Sequence, residues 1–230
     1  AIILVIGLAG LALEPSHHGA VALLWASVVG LVVGGLLLVA TGRGDSAMGR
    51  REALLLVALS WGVGAGLAGL PFHLWAQNNP EVPSDHPFHS MVDCYFEAMS
   101  GMTTTGATVL GDITFLPRGL LLWRAITHWL GGLGIVVLFV AVLPSLGVGG
   151  KRLFQVEAPG PTQQGVRPRI KETARVLWLI YCLLTLVEIF SLKLCGMTWF
   201  DSVCHTFATL ATGGFSTYDA SMGHYNSGLI

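Results

Sequence analysis

A short segment rich in threonine and glycine occurs twice in the chain, and each copy follows a long apolar segment. The first copy is FEAMSGMTTTGATVL at residues 96–110, and the second is CHTFATLATGGFSTYDAS at residues 204–221. The copies align without a gap at an offset of 108 residues (212 − 104), which pairs Thr104 with Thr212. Because an internal repeat sets the architecture of a chain, the fold must contain two copies of one structural unit.

The composition indicates an integral membrane protein that is mainly helical. Hydrophobic residues make up 53% of the 230 residues and charged residues only 11%, whereas about a quarter of the residues are charged in a soluble domain. The charges are clustered, and the apolar tracts between them are long enough to cross a bilayer. We expect membrane spans at about residues 20–40, 53–75, 120–143 and 176–195.

Two shorter helices are expected at residues 90–102 and 198–211, each running into one of the turns. At 1.5 Å per residue, each covers about half the thickness of a bilayer. Non-helical backbone at that depth is tolerated only where it is buried in protein or lines a water-filled path. The repeated unit is therefore predicted to be a helix, a half-helix, a turn that leaves as a short strand, and a second helix. This arrangement is a pore-loop unit.

The turn has the chemistry of a filter for small cations. A cation that loses its water needs other oxygen atoms, which backbone carbonyls pointing inward can supply. Such carbonyls demand unusual φ and ψ values, which glycine adopts at little steric cost. Gly106 and Gly214 are therefore expected to adopt these φ and ψ values. Further oxygens can come from the hydroxyl groups of Thr104, Thr105 and Thr212. The first turn contains no charged side chain, which favours a site that passes ions rather than traps them.

The distribution of charge predicts the orientation in the membrane. Nine of the twelve lysines and arginines fall in two loops, at residues 41–52 and 144–175, whereas residues 76–117 contain none. By the positive-inside rule the two basic loops are cytoplasmic, so both pore loops enter the membrane from outside. The outer segment is either a merely solvated loop or an acidic vestibule that attracts cations, and the vestibule is favoured. Its acids are Glu81, Asp85, Asp93, Glu97 and Asp112.

At these residues the chain resembles the TrkH/TrkG/KtrB superfamily of potassium transporters, and most of all its TrkH branch. The matching stretches are FEAMSGMTTTGATVL (96–110), WRAITHWLGGLGIVVLFVAVLPSLGVGG (123–150), EAPGP (157–161) and ATGGFSTYDASMG (211–223). The resemblance implies an all-α, potassium-channel-like fold in which four pore-loop units of one polypeptide surround a single pore. It also implies potassium ion uptake across the bacterial inner membrane by a multi-pass protein.

The resemblance further implies how the chain is divided and what it binds. Residues 1–40 would form an N-terminal transmembrane hairpin, residues 41–150 the first pore-loop unit, and residues 151–230 a cytoplasmic loop with an incomplete second unit. Both ends are expected to be those of a fragment, with units three and four and the gating loop beyond. The expected partners are membrane lipid, a second subunit in a homodimer and a cytoplasmic nucleotide-binding regulator of the TrkA type, without nucleic acid. The transported ion would be K⁺, and no organic cofactor is expected.

By motif, the potassium filter of the superfamily corresponds to three residues in each turn. These are Thr104, Thr105 and Gly106 in the first turn, and Thr212, Gly213 and Gly214 in the second turn. The first turn continues with Ala107 and the second with Phe215, so the two filter quarters are not equivalent. A pore built from unequal quarters is predicted to be less strictly selective than a fourfold-symmetric one.

Two other functions remain open from the sequence. Potassium symport coupled to H⁺ or Na⁺ would need a relay along the pore, but the candidate acids are mostly external. An intramembrane serine hydrolase could combine Ser100 with His128 or His205, since a nucleophile needs a base within hydrogen-bonding reach. The second copy has Ala208 in place of Ser100, which favours a packing role for this serine and no enzymatic activity.

Two further features of the spans have predicted roles. Glu188 lies in the middle of the fourth span, where an ionisable group is a candidate functional residue. We expect it to pair with Lys193 or to hydrogen-bond a neighbouring half-helix, and bracing is favoured over ion binding. Glycines at 131–134 and in the second span are expected to let helices pack closely in lipid.

Overall fold

The computed structural model describes residues 18–41, 50–142, 166–228 and 230, and all regular structure within these residues is helical. The α-helices in chain order are α1 (His18–Thr41), α2 (Arg50–Asn78), α3 (Met91–Met102), α4 (Arg118–Val142), α5 (Val166–Leu194) and α6 (Trp199–Leu210). Short 3₁₀ helices at Pro87–His89 and Ser221–Tyr225 precede α3 and follow the second turn. The predicted all-α fold is confirmed.

Three of the described helices are long and apolar enough to cross a membrane. The qualifying segments are His18–Val39 in α1, Leu55–Asn78 in α2 and Glu172–Leu194 in α5. Large apolar side chains on α1 and α5 are exposed, among them Leu38 and Leu194. Such faces suit lipid, and helices satisfy their own backbone hydrogen bonds there. Helix α4, with 25 residues, occupies the position of the third predicted span.

The helices lie where the sequence predicts them, with two differences. Helix α5 begins at Val166, ten residues (176 − 166) before the predicted start of the fourth span, so part of the expected polar connection is helical. Residues 105–110 have no regular structure, so the short strand predicted after the first turn is wrong. The predictions for residues 1–17, 42–49 and 143–165 lie outside the described residues.

The two half-helices begin in the same way. Ser90 and Thr198 are N-caps at equivalent positions (198 − 90 = 108), and each accepts a hydrogen bond on its side-chain oxygen. The donors are the backbone N–H groups of Asp93, at 3.4 Å, and of Asp201, at 3.1 Å. Such a cap satisfies one of the free N–H groups of the first helical turn. Each half-helix then runs for 12 residues, about 18 Å.

Helix α4 lies at the centre of the fold and contacts each of the other five α-helices described. The indole N–H of Trp123 donates to the carbonyl oxygen of Ala68 in α2 at 2.9 Å. Farther along α4, the indole N–H of Trp129 donates to the hydroxyl oxygen of Thr185 in α5 at 3.1 Å. Helix α4 therefore joins the helices around the first copy of the repeat to those around the second.

Close helix packing depends on glycine at several contacts. A Cβ atom on Gly131 would overlap the carbonyl oxygen of Met102, at the end of α3. A Cβ atom on Gly69 in α2 would lie 2.8 Å from the carbonyl oxygen of Cys94. The predicted packing role is confirmed at these two positions, because any larger residue would separate the helices. It is not confirmed at Gly66, which has nothing within 4 Å of its Cβ position.

Candidate ion pathway

Both predicted turns adopt the same unusual backbone. Thr104 and Thr212 have φ angles of 56° and 54°, a left-handed conformation that is uncommon for residues other than glycine. Gly106 and Gly214 also have positive φ angles, of 76° and 110°. The unusual backbone predicted for the two glycines is therefore confirmed. The two threonines share it, which the sequence analysis did not predict.

Equivalent backbone hydrogen bonds close the two turns. The N–H of Thr105 donates to the carbonyl oxygen of Ser100 at 2.9 Å, and the N–H of Gly213 donates to that of Ala208 at 2.8 Å. Both pairs span five residues and use a carbonyl from the last turn of a half-helix. Helix C-terminal carbonyls lack partners within the helix, so the two turns satisfy them in the same way. The repeat seen in the sequence is thus a repeat of backbone geometry.

The two turns are in direct contact with each other. A Cβ atom on Gly106 would overlap the carbonyl oxygen of Gly213 and would lie 3.4 Å from the Cα atom of Gly214. Glycine at 106 therefore allows both the positive φ angle and the close approach of a second backbone. The C-terminal ends of α3 and α6, which carry partial negative charge, directly precede these turns. This arrangement favours a cation near the contact.

All six residues of the predicted filter lie in the two touching turns. Thr105, Thr212 and Gly214 are exposed, and Thr104, Gly106 and Gly213 are half-buried. The hydroxyl oxygens of Thr103 and Thr105 are 2.8 Å apart, so these two hydroxyl groups hydrogen-bond each other. The structure gives the backbone conformation of both turns, whereas binding of K⁺ by these six residues stays a prediction.

A buried ion pair that the sequence analysis did not identify lies behind the turns. The guanidinium of Arg124 in α4 contacts the carboxylate of Glu97 in α3, with Nη2 and Nε each 2.8 Å from Oε1. Arg124 is 1% exposed and Glu97 is 0% exposed. The placement of Glu97 in an acidic outer vestibule is therefore wrong, because its charge is held inside the protein by a partner of opposite charge.

The ion pair holds the segment that leaves the first turn. The carboxylate of Glu97 accepts hydrogen bonds from the hydroxyl of Thr108 at 2.9 and 3.0 Å and from the backbone N–H of Val109 at 3.0 Å. Nη2 of Arg124 lies 3.3 Å from the hydroxyl oxygen of Thr108. Charge-assisted hydrogen bonds of this kind are stronger than neutral ones. They take the place of the strand pairing that this extended segment lacks.

Arg124 also reaches the segment that leaves the second turn. Its Nη1 atom donates to the carbonyl oxygen of Ser216 at 3.4 Å, and its guanidinium carbon lies 4.1 Å from the ring centroid of Phe215. Guanidinium groups stack favourably on aromatic rings at such distances. The ring of His128, one turn farther along α4, lies 4.1 Å from that of Phe215. Both turns therefore rest on the same face of α4.

The second unit anchors its own exit segment with a different acid. His205 occupies the position equivalent to Glu97 (205 − 97 = 108), and Asp201 lies one helical turn earlier. The hydroxyl of Thr217 donates to the carboxylate of Asp201 at 2.9 Å and lies 3.4 Å from Nε2 of His205. The two turns therefore share a backbone shape while their supporting side chains differ.

Ser100 and His128 are candidates for the hydrolase alternative, and their surroundings differ from those of a nucleophile and its base. The hydroxyl of Ser100 donates to the carbonyl oxygen of Ala107 at 2.6 Å, which closes the first turn on itself. His128 is fully buried, and neither of its ring nitrogens has a hydrogen-bond partner among the described residues. A serine whose proton points at a backbone carbonyl supports the packing role that the sequence favoured.

The other outer acids are accessible to solvent. Glu81, Asp85 and Asp112 are exposed, and Asp93 is half-buried. Hydrogen bonds from the hydroxyl and then the backbone N–H of Thr114 hold the pKa of Asp112 below its usual range. Asp112 is therefore negatively charged at neutral pH. These four residues, without Glu97, are the acids on which the predicted vestibule depends.

Glu188 lies close to the second half-helix. Its carboxylate lies near the side chain of Thr209 in α6, whose hydroxyl donates to the carbonyl oxygen of His205 at 2.7 Å. The ammonium of Lys193, the other expected partner, instead donates to the carbonyl oxygen of Met197 at 3.0 Å. Of the two predicted arrangements, the structure has the one in which Glu188 contacts a neighbouring half-helix.

The described helices define an all-α integral membrane protein in which two similar turns meet. A family model described as "TrkH: Cation transport protein" matches residues 50–230. The chain belongs to the TrkH family, as its resemblance to the superfamily predicted. Family members are described and named as transport proteins rather than as enzymes.

Individual relatives agree with this assignment. The chain is 44% identical over 203 residues to the Trk system potassium uptake protein TrkH of Escherichia coli K12, covering 88% of the chain and 40% of that protein. It is 37% identical over 204 residues to TrkG of the same organism, with coverages of 88% and 40%. The crystal structure of the potassium transporter TrkH from Vibrio parahaemolyticus matches with a TM-score of 0.81 at 36% identity, covering 100% of this chain and 43% of that one. The chain therefore spans about two fifths of the length of these relatives.

Proposed function

We propose that this chain supplies two adjacent quarters of the selectivity filter of a Trk-type potassium uptake protein in the bacterial inner membrane. The filter residues are Thr104, Thr105 and Gly106 of the first quarter and Thr212, Gly213 and Gly214 of the second. Carbonyl and hydroxyl oxygens of these residues replace the water that K⁺ loses on entry. The path is channel-like, and no step of it is catalytic.

One observation carries this proposal: two turns with matching left-handed φ angles touch each other through Gly106 and Gly213. Turns used only to pack helices would have no need for strained threonines at equivalent positions in both copies, since strain of this kind persists only where other interactions maintain it. The names of the relatives as potassium uptake proteins support K⁺ as the transported ion.

The proposal includes an assembly larger than these residues. Residues 1–40, 41–150 and 151–230 serve as a transmembrane hairpin, the first pore-loop unit, and a cytoplasmic loop with part of a second unit. Two further pore-loop units complete the ring of four, because two quarters cannot enclose an ion. The complete multi-pass subunit forms a homodimer in lipid, and a TrkA-type nucleotide-binding regulator docks on its basic cytoplasmic face.

The test is uptake of radioactive Rb⁺ into liposomes that contain the complete subunit, with and without the Gly106→Ser substitution. We expect uptake that excess K⁺ blocks and excess Na⁺ does not. The serine should degrade this selectivity, because its side chain meets Gly213 and its backbone must keep a φ angle of 76°. Absence of Rb⁺ uptake with the cytoplasmic partner added would contradict the proposal.

The same liposomes separate a channel from a coupled transporter. The buried acid beside the turns, Glu97, has its carboxylate held by Arg124, by the hydroxyl of Thr108 and by the backbone N–H of Val109, so its oxygens already serve structural hydrogen bonds. We therefore expect Rb⁺ uptake that does not depend on an imposed proton or sodium gradient. Uptake that stops when the gradient is removed would favour potassium symport coupled to H⁺ or Na⁺.

A further inference from the structure

We propose that Arg124 determines potassium-over-sodium selectivity by fixing the spacing between the first and second filter quarters. Arg124 is a positioning residue in this role, because its side chain contacts the segments that leave the two turns rather than the turns' carbonyl oxygens. The inference deepens the proposed function and rests on it. It assigns to one buried side chain the mechanical link between two quarters that lie 108 residues apart in sequence (214 − 106).

The contacts of Arg124 divide evenly between the two quarters. On the first side, Nε and Nη2 bind Glu97, whose carboxylate in turn holds the backbone N–H of Val109. On the second side, Nη1 binds the carbonyl oxygen of Ser216 and the planar group stacks on Phe215. A displacement of one exit segment relative to the other would break contacts on at least one side.

The chemistry of the guanidinium suits this task better than that of any other cation in proteins. Its donors lie in one rigid plane, so a bond on one edge fixes the direction of the bonds on the other edge. The group is also almost completely buried, where charge-assisted hydrogen bonds are not weakened by water. A lysine ammonium at this position would retain the positive charge opposite Glu97 but would lose the planar reach to the second quarter.

Spacing between quarters matters because selectivity depends on how the oxygens of all quarters are arranged around the ion. Na⁺ is the smaller ion and gains most when the oxygens move inward, so a filter that rejects it must resist that movement. A rigid link at the exits of two quarters opposes the movement. In the second quarter His205 stands where the first unit has Glu97, so the ion pair of Arg124 lies on the side of the first quarter. Substitutions at Arg124 and Glu97 are therefore enough to test the link.

The experiment compares Rb⁺ and Na⁺ uptake by the complete subunit and by its Arg124→Lys variant in liposomes. We expect the variant to assemble and to transport Rb⁺, while its ratio of Rb⁺ to Na⁺ uptake falls about tenfold, as the loss of a hydrogen bond from a charged group would produce. A purely structural role would lower the uptake of both ions by the same factor and leave the ratio unchanged. Arg118→Lys, at the exposed start of the same helix, is the matched control and should keep the wild-type ratio.

A second variant covers the case in which Arg124→Lys does not assemble. The double substitution Glu97→Gln with Arg124→Gln removes both charges, so no unpaired charge remains buried. It should show the same loss of selectivity. If either variant assembles and keeps the wild-type ratio of Rb⁺ to Na⁺ uptake, the inference is overturned. Failure of the proposed function itself looks different, because the unmodified subunit would then take up no Rb⁺.

Discussion

Thr104 and Thr212 lie 108 residues apart (212 − 104) and have left-handed backbones whose φ angles, 56° and 54°, differ by only 2°. A left-handed conformation costs a residue with a Cβ atom about 1–3 kcal/mol. Glycine would adopt it without that cost, and the chain already has glycine two residues later in each turn. The presence of threonine at both positions therefore indicates that the side chain itself is used.

The first prediction separates the effect of the Thr104 side chain on selectivity from the effect of its backbone conformation on stability. Thr104→Gly should leave the thermal stability of the complete subunit unchanged or raise it by up to about 1 kcal/mol, because strain is relieved. It should also lower K⁺-over-Na⁺ selectivity, because the proposed filter loses a hydroxyl oxygen. Thr103→Gly is the control for stability: Thr103 has an ordinary φ angle of −81°, so glycine there relieves no strain and should destabilise the subunit. A clear loss of stability in Thr104→Gly would contradict the strain argument.

The second prediction distinguishes steric collision from backbone strain at the filter glycines. A methyl group on Gly106 meets both a φ angle of 76° and the carbonyl of Gly213, whereas Gly214 has a φ angle of 110° and nothing within 4 Å. Gly106→Ala should therefore impair Rb⁺ uptake more than Gly214→Ala. Gly111→Ala, with open space and no positive φ angle, should transport normally. Equal effects of the first two substitutions would show that contact between the quarters is unimportant.

The half-helices and the glycine conformations of the site were predictable because they depend on local chemistry, whereas the left-handed threonines were not predicted. Each turn is specified by a half-helix with an N-cap and by glycines at fixed positions, and the repeat gives every observation a second, independent copy. Helix positions followed from apolar length alone. The start of α5 at Val166 was missed because residues 166–175 contain Arg167, Arg169 and Lys171, and charge marks the end of an apolar tract, not the end of a helix.

The support behind the turns was not predictable in the same way. Glu97 belongs to the acidic outer segment by sequence position, and only its contact with Arg124 across two helices shows that it is buried. One signal was available, since an arginine inside a membrane span requires a partner. Choosing that partner needs the rotation of α4 against α3, and close packing around glycines such as Gly131 sets that rotation.

The third prediction concerns Glu188 and its contact with Thr209. Glu188→Gln should lower the yield and thermal stability of the subunit while leaving its ion selectivity unchanged, as expected of a carboxylate that braces α5 against α6 rather than binding ions. A double-mutant cycle with Thr209→Val should give a coupling energy of about 0.5–2 kcal/mol. Glu188→Gln that assembles fully but loses selectivity would instead place this acid on the ion path.

The fourth prediction tests the orientation of α2, whose 29 residues extend about 43 Å. Arg51 lies near the start of this helix and Asp85 in the loop beyond its end, and both are exposed. In a background without the partly exposed Cys182 and Cys195, the other two cysteines of this chain, Cys94 and Cys204, are buried. A membrane-impermeant maleimide should then label Asp85→Cys in intact cells and Arg51→Cys only after permeabilisation, because basic residues stay on the cytoplasmic side. The reverse labelling pattern would show that both turns enter from the cytoplasmic side, which would remove the basis for an outer acidic vestibule.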